Sequence, residues 1–175
     1  MQRIAVTGHV HVDGEVAEWV TRRLTERLGA VAGARLHGIT CLAEGADQIF
    51  AQVVLALRGT FEVVLPARDY AARMALTDNA PTFAALLRRA RSVQTMPFET
   101  SGREAYLAAS RAMLDRCDLV LAVWDGRPSR RVGDTADVVA KAREQNLPVE
   151  VLWPAATPPP TNTPAPTPAE APGPG

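Results

Sequence analysis

The stretch "DGRPSRRVGDTADVV", residues 125–139, places three arginines, two glycines and three aspartates in one connection. Guanidinium groups make charge-assisted, often bidentate contacts with phosphate, and carboxylates accept hydrogen bonds from sugar hydroxyls. Glycine lets backbone N–H groups approach an anion, and a helix beginning near Asp134-Thr135 would add its positive end. Two further stretches carry a similar mixture. "TGHVHVDG" offers Thr7, Gly8 and His9, and "LAEGAD" offers Glu44, Gly45, Ala46 and Asp47. A phosphorylated ribose fits all three, with acids on the sugar and Arg130 and Arg131 over the phosphate.

Each stretch also has a plainer use. Gly8 and Gly14 do not form a G-x-G-x-x-G dinucleotide fingerprint, so they also read as tight turns. His9 and His11 suggest a metal, yet no acid stands near them at helical spacing, and no metal is expected. Asp47 suits a helix start through the helix dipole alone. Arg127, Arg130 and Arg131 could be a solvated loop. The functional reading depends on the elements that carry these turns.

Those elements alternate. "RIAVTG" is a short apolar run closed by glycine and reads as a buried strand. "DGEVAEWVTRRLTERLG" spaces Val16, Val20, Leu24 and Leu28 four apart, which predicts a helix capped by Asp13 and stopped at Gly29. "RLHGITCL" is a second strand. "GADQIFAQVVLALRG" is a helix with Ala46, Ile49, Val53 and Leu57 on one face and Gly59 at its end. "TFEVVLP" is a third strand. "RDYAARM" and "APTFAALLRRAR" predict a short and a longer helix, the latter with Pro81 in its first turn. "SVQTMP" is a strand candidate, and "REAYLAASRAMLDRC" a helix with Tyr106, Leu107, Ser110 and Leu114 facing inward. "DLVLAVW", a helix from about Asp134 to Gln145, and "PVEVLW" complete the series.

Strands and helices in this order predict an α/β fold: a single open, mostly parallel Rossmann-like sheet with helices on both faces. Ligands of such sheets bind beyond the carboxyl ends of the strands, near the reversal in strand order. The three polar turns all fall on that edge. The expected ligand-binding set is therefore Thr7, Gly8, His9, Gly45, Ala46, Asp47, Asp125, Gly126, Arg130, Arg131, Gly133, Asp134, Thr135 and Asp137.

Bulk composition narrows the class. The chain has 175 residues, 47% of them hydrophobic, enough for one domain with a core. Lys plus Arg and Asp plus Glu both number 19, so the basic excess of a dedicated nucleic-acid binder is missing. Cys41 and Cys117 lie far apart with no metal-ligand spacing and read as buried thiols in a reducing compartment. "MQRIAVTGHV" opens without a long apolar segment, so neither signal peptide nor membrane anchor is expected, and a cytoplasmic location is.

Nine of the 14 prolines fall between Pro154 and Pro174. Residues 1–154 are thus expected to form the nucleotide-binding domain and residues 155–175 a disordered Pro-rich tail, with a polyproline ligand as its alternative use. Deleting everything after Ala155 is expected to leave the melting temperature within about a degree, because such a segment buries little. A scanning calorimeter reads this directly, and a large drop would show that the tail docks.

The segments "VTGH", "LAEGAD", "VVLPARDY", "AYLAASRAMLDRCDLVLAVWDG" and "GDTADVVAKAREQNLPV", in that order between Arg3 and Pro154, resemble the SLOG superfamily. That Rossmann-like group includes the lonely-guy phosphoribohydrolases and many nucleotide-sensor domains. The resemblance implies a nucleotide or nucleotide-sugar ligand. Similar proteins usually place an arginine where Val10 stands, and read Gly-Gly-Thr where this chain has Gly133-Asp134-Thr135.

Lonely-guy enzymes and the similar nucleoside deoxyribosyltransferases carry a glutamate four residues after the glycine of a Gly-Thr pair. Here that position is Val138, which can neither attack nor stabilise an oxocarbenium-like sugar. Asp137 lies about 100° away around the helix. The expectation is therefore a binding or sensor domain for a nucleotide-derived small molecule, with no bound cofactor. N-glycosidic hydrolysis of nucleoside monophosphates is the alternative. The DNA-processing role of another similar Rossmann family lacks a basic surface to support it. Homo-oligomerisation stays open.

Overall fold

A computed structural model describes residues 1–31, 35–128 and 134–155. Six strands form one parallel sheet: β1 (Gln2–Gly8), β2 (Leu36–Thr40), β3 (Thr60–Leu65), β4 (Ser92–Thr95), β5 (Leu119–Val123) and β6 (Val149–Val151), in the order β4-β3-β2-β1-β5-β6. Six helices connect them: α1 (Gly14–Gly29), α2 (Ala46–Ala56), α3 (Tyr70–Met74), α4 (Ala80–Leu87), α5 (Arg103–Leu114) and α6 (Thr135–Glu144). The expected open Rossmann-like sheet is the one found. Of the expected Pro-rich tail, residues 155–175, all but Ala155 lie outside the described residues.

The core divides as alternation along a strand requires. Ile4, Val6, Leu119, Leu121 and Val123 face one side, with Val20, Leu24 and Leu28 of α1, Phe50 and Val54 of α2, and Phe83 and Leu86 of α4. Ala5, Ile39, Val64 and Val120 face the other, with Ala109, Met113 and Leu114 of α5 and Val138 and Ala142 of α6. Both faces of the sheet are covered, and no helix among the described residues is long and apolar enough to cross a membrane.

Several details differ from the sequence expectations. On α5 the buried residues are Ala105, Ala109, Met113 and Leu114, whereas Tyr106 and Leu107 are exposed. Alanines let the helix approach the sheet closely, and large residues at those positions would hold it off; Tyr106 instead meets the Tyr70 ring edge-on at 6.3 Å. Helix α2 buries more than one stripe, Phe50 and Val54 included, because it packs on α1, α4 and three strands at once. Its end is also displaced. Arg58, not Gly59, takes the left-handed conformation (φ 58°), and the Gly59 N–H donates to the Val54 carbonyl at 2.9 Å. Gly29 is the last residue of α1 rather than its stop, and Asp13 stands at the cap position with no side-chain cap hydrogen bond.

Candidate functional site

The strand order reverses at β1, which lies between β2 and β5. The chain leaving β1 runs to α1 on one face of the sheet, and the chain leaving β5 runs to α6 on the other. Their first loop residues therefore part around a crevice at the carboxyl edge. Among the described residues, His9 and Asp125 span it. The His9 N–H donates to the Val123 carbonyl at 3.1 Å, and the Asp125 N–H donates to His9 Nε2 at 3.3 Å. The same nitrogen lies 3.4 Å from Asp125 Oδ1, an ion pair when the ring is protonated.

The β5–α6 loop begins with a fixed turn. Asp125 Oδ1 accepts the Arg127 N–H at 3.1 Å, and the indole N–H of Trp124 donates to the Arg127 carbonyl at 2.9 Å. Gly126 adopts φ +82°, and among the described residues no atom lies within 4 Å of the position a side chain would take. Asp134 is extended at the cap of α6 (φ −94°, ψ 174°), Thr135 is buried in its first turn and Asp137 is half-buried beside it. Arg130, Arg131 and Gly133 lie outside the described residues.

Thr7 and Gly8 end β1 as expected, but their surroundings are packed. Thr7 is buried, and a Cβ on Gly8 would lie 2.5 Å from the Cβ of Ala46. Gly8 is needed so that α2 can close on the strand.

The β2–α2 turn packs against the β1–α1 loop. Gly45 is expected to let a phosphate approach the backbone. Its φ is +80°, but the space a side chain would take is filled by the carbonyl oxygens of Val10 and His9, at 2.5 and 2.6 Å. The Ala46 N–H, first of α2, already donates to the His9 carbonyl at 3.2 Å. The positive end of α2 thus holds the β1–α1 loop in place. Ala46 is fully buried and Asp47 nearly so.

Asp47 is the inward anchor of this bracket. Its Oδ2 accepts the Thr40 hydroxyl at 2.8 Å and the Cys41 N–H at 3.1 Å. Burial pushes its carboxyl up to about 6, against the Thr40 hydroxyl and the N–H groups of Ala43, Cys41 and Leu42, which favour the charged form. Removal from water likewise raises the Cys41 thiol, whose Sγ packs on Met113 Sδ at 3.6 Å, and the Tyr70 phenol, with Asp47 adding to both. Neither thiolate nor phenolate is available beside the crevice at neutral pH.

Two residues absent from the sequence-derived set belong to this edge. Trp124 follows β5 directly and Trp153 follows β6 closely; the His9 ring meets Trp153 edge-on at 5.1 Å and 72°. The signal was present, since each closes an apolar strand where such sheets bind ligands. Among the described residues, no group of three or more His, Cys, Asp or Glu could hold a metal ion.

No family model and no curated protein matches the chain. Solved structures do. DNA processing protein A (DprA) from Streptococcus pneumoniae is similar with TM-score 0.65 and 16% identity, over 89% of this chain and 51% of that one. TM1055, a structural-genomics target, is similar with TM-score 0.56 and 16% identity, over 85% and 72% of the two chains. The molybdenum cofactor binding protein from the phototrophic bacterium Rippkaea orientalis gives TM-score 0.55 and 14% identity, over 86% and 75%. The chain spans about half the length of the DNA processing protein it matches. These likenesses define the class by its fold: an open, parallel Rossmann-like α/β domain.

Proposed function

We propose that this domain binds a nucleotide or nucleotide-sugar, through its phosphorylated ribose, in the crevice between the β1–α1 and β5–α6 loops, and acts as a sensor or binding domain. The observation that carries the proposal is the junction of His9 and Asp125 across the reversal in strand order, beside the Gly126 turn and the start of α6. His9 and Asp125 supply polar contacts for sugar hydroxyls. The start of α6 supplies backbone N–H groups, and Arg130 and Arg131 supply positive charge for phosphate. Thr7, Gly8, Gly45, Ala46 and Asp47 act behind these as the frame. The structural neighbour from Rippkaea orientalis is itself named for binding the molybdenum cofactor, a small molecule.

N-glycosidic cleavage finds no support at Val138. That residue is buried in the cluster with Ala5, Ile39 and Val120, where a glutamate would have to be charged inside the core.

Thermal shift against AMP, ADP-ribose, nucleoside monophosphates and cyclic nucleotides tests the proposal, and no shift with any of them would refute it. Replacing Arg130 and Arg131 together with alanine is expected to weaken a phosphorylated nucleotide by about 1.5–3 kcal/mol per lost charged contact. The bare nucleoside should be nearly unaffected. Calorimetry on both ligands checks this, and an equal loss for the two would remove the arginines from the phosphate.

A further inference from the structure

We propose that the hollow between Trp124 and Trp153 seats the planar heterocyclic base of the ligand, an inference that rests on the nucleotide reading above. β5 and β6 are neighbours in the sheet, so the two indoles stand at adjacent strand ends on the carboxyl edge. Between them lies an open hollow of about 340 Å³ lined by Trp124, Asp125, Gly126, Arg127, Val151 and Trp153. Its size is at the lower end of small-molecule sites, enough for a ring system with part of a sugar.

Both indoles are already positioned. The Trp124 N–H is bound to the Arg127 carbonyl, which fixes the ring through its edge and uses neither face. Among the described residues, Trp153 is in ring contact with His9 and not with Trp124, so no aromatic partner joins the two indoles across the hollow. Among the described residues, Trp153 Nε1 is buried with no hydrogen-bond partner. A buried indole N–H ordinarily has one, and a small shift of the ring would offer it to a ring nitrogen or carbonyl of a base. The hollow shares Asp125 with the crevice, so a base seated here leaves its ribose beside His9 and Asp125. Stacking on indole faces tolerates any base, whereas the Trp153 N–H would favour one with an acceptor on the facing edge.

The test is titration of the full chain with AMP, GMP, CMP and UMP, and separately with ribose 5-phosphate, by calorimetry. Trp124→Leu and Trp153→Phe are compared with wild type after melting curves show that each is folded. Trp124→Leu is expected to weaken the preferred nucleotide roughly tenfold to hundredfold while leaving ribose 5-phosphate unchanged. Trp153→Phe keeps a ring but loses the N–H, and is expected to narrow the preference among the four bases. Quenching of tryptophan fluorescence by the nucleotide should fall in Trp124→Leu, with Trp19 on α1 as the unaffected emitter. Nucleotide affinity unchanged in both variants, or ribose 5-phosphate weakened equally, would overturn the base seat and leave the nucleotide reading standing. If none of the four nucleotides nor ribose 5-phosphate binds wild type, the nucleotide reading itself fails and the base seat with it.

Discussion

Gly45→Ala is expected to destabilise the domain by about 4 kcal/mol, combining ~1–3 kcal/mol for a side chain on a disfavoured backbone with ~1–3 kcal/mol for overpacking. The backbone there has φ +80°, and the new methyl would meet two carbonyl oxygens of the β1–α1 loop at 2.5 and 2.6 Å. Main chain cannot swing aside as the end of a lysine can. Relief would require the loop to lift, which costs the hydrogen bond from Ala46 N–H to the His9 carbonyl and moves His9 off Asp125. For a domain of this size the melting temperature should fall by roughly 10 °C.

Gly126→Ala is the control. Its φ of +82° is similar, but among the described residues nothing lies within 4 Å of the new methyl, so backbone strain is the term expected and the loss should be about 1 kcal/mol. Gly8→Ala tests the remaining term, since its methyl would press on Ala46 Cβ at 2.5 Å and on the Val123 carbonyl at 2.9 Å. Differential scanning fluorimetry of the three variants ranks these costs. Equal melting temperatures for the variants at positions 45 and 126 would show that the loop does not rest on Gly45.

The alternation of strands and helices was legible because each apolar run is short and bounded, and because Val20, Leu24 and Leu28 repeat at helical spacing. The edge on which the polar turns meet followed from topology alone. What periodicity could not supply was phase and neighbourhood. In "REAYLAAS" Ala105 and Ala109 face the sheet and Tyr106 does not, a choice set by how closely α5 approaches the sheet rather than by hydrophobicity. In "LAEGAD" the residue types of a phosphate turn serve to clasp the adjacent loop, and only the contacts of Gly45 and Asp47 separate the two uses. Trp124 and Trp153 read as strand residues because they end apolar runs, and their common hollow depends on β5 and β6 being neighbours.

The second large effect concerns Asp47 and depends on pH. The folded state raises its carboxyl from the ordinary 3.8 to about 6, mainly by burial. Between those values the native chain holds a proton that the unfolded chain has lost, so stability should rise as pH falls from 7 through 6 towards 4. The whole span corresponds to on the order of 3 kcal/mol, of which about 1 kcal/mol appears by pH 5. Asp118, held down by the Arg3 N–H and guanidinium, and Glu150, held down by the Arg27 guanidinium, act in the opposite sense. Their stabilisation is lost only as pH falls below their ordinary values of 3.8 and 4.5, so these two carboxylates do not oppose Asp47 above pH 5. Asp47→Ala deprives the Thr40 hydroxyl and the Cys41 N–H of their acceptor in a buried turn, at ~1–3 kcal/mol for each group. At pH 7.5 the variant should therefore be less stable than wild type by about 4 kcal/mol, the middle of about 2–6 kcal/mol for the two groups together. Because the variant has no proton to take up at this position, the gap should widen by about 1 kcal/mol on going to pH 5. Urea denaturation at the two pH values measures it. Parallel stability curves for wild type and variant would mean that the Asp47 carboxyl titrates as it does in water and does not anchor the turn from within the core.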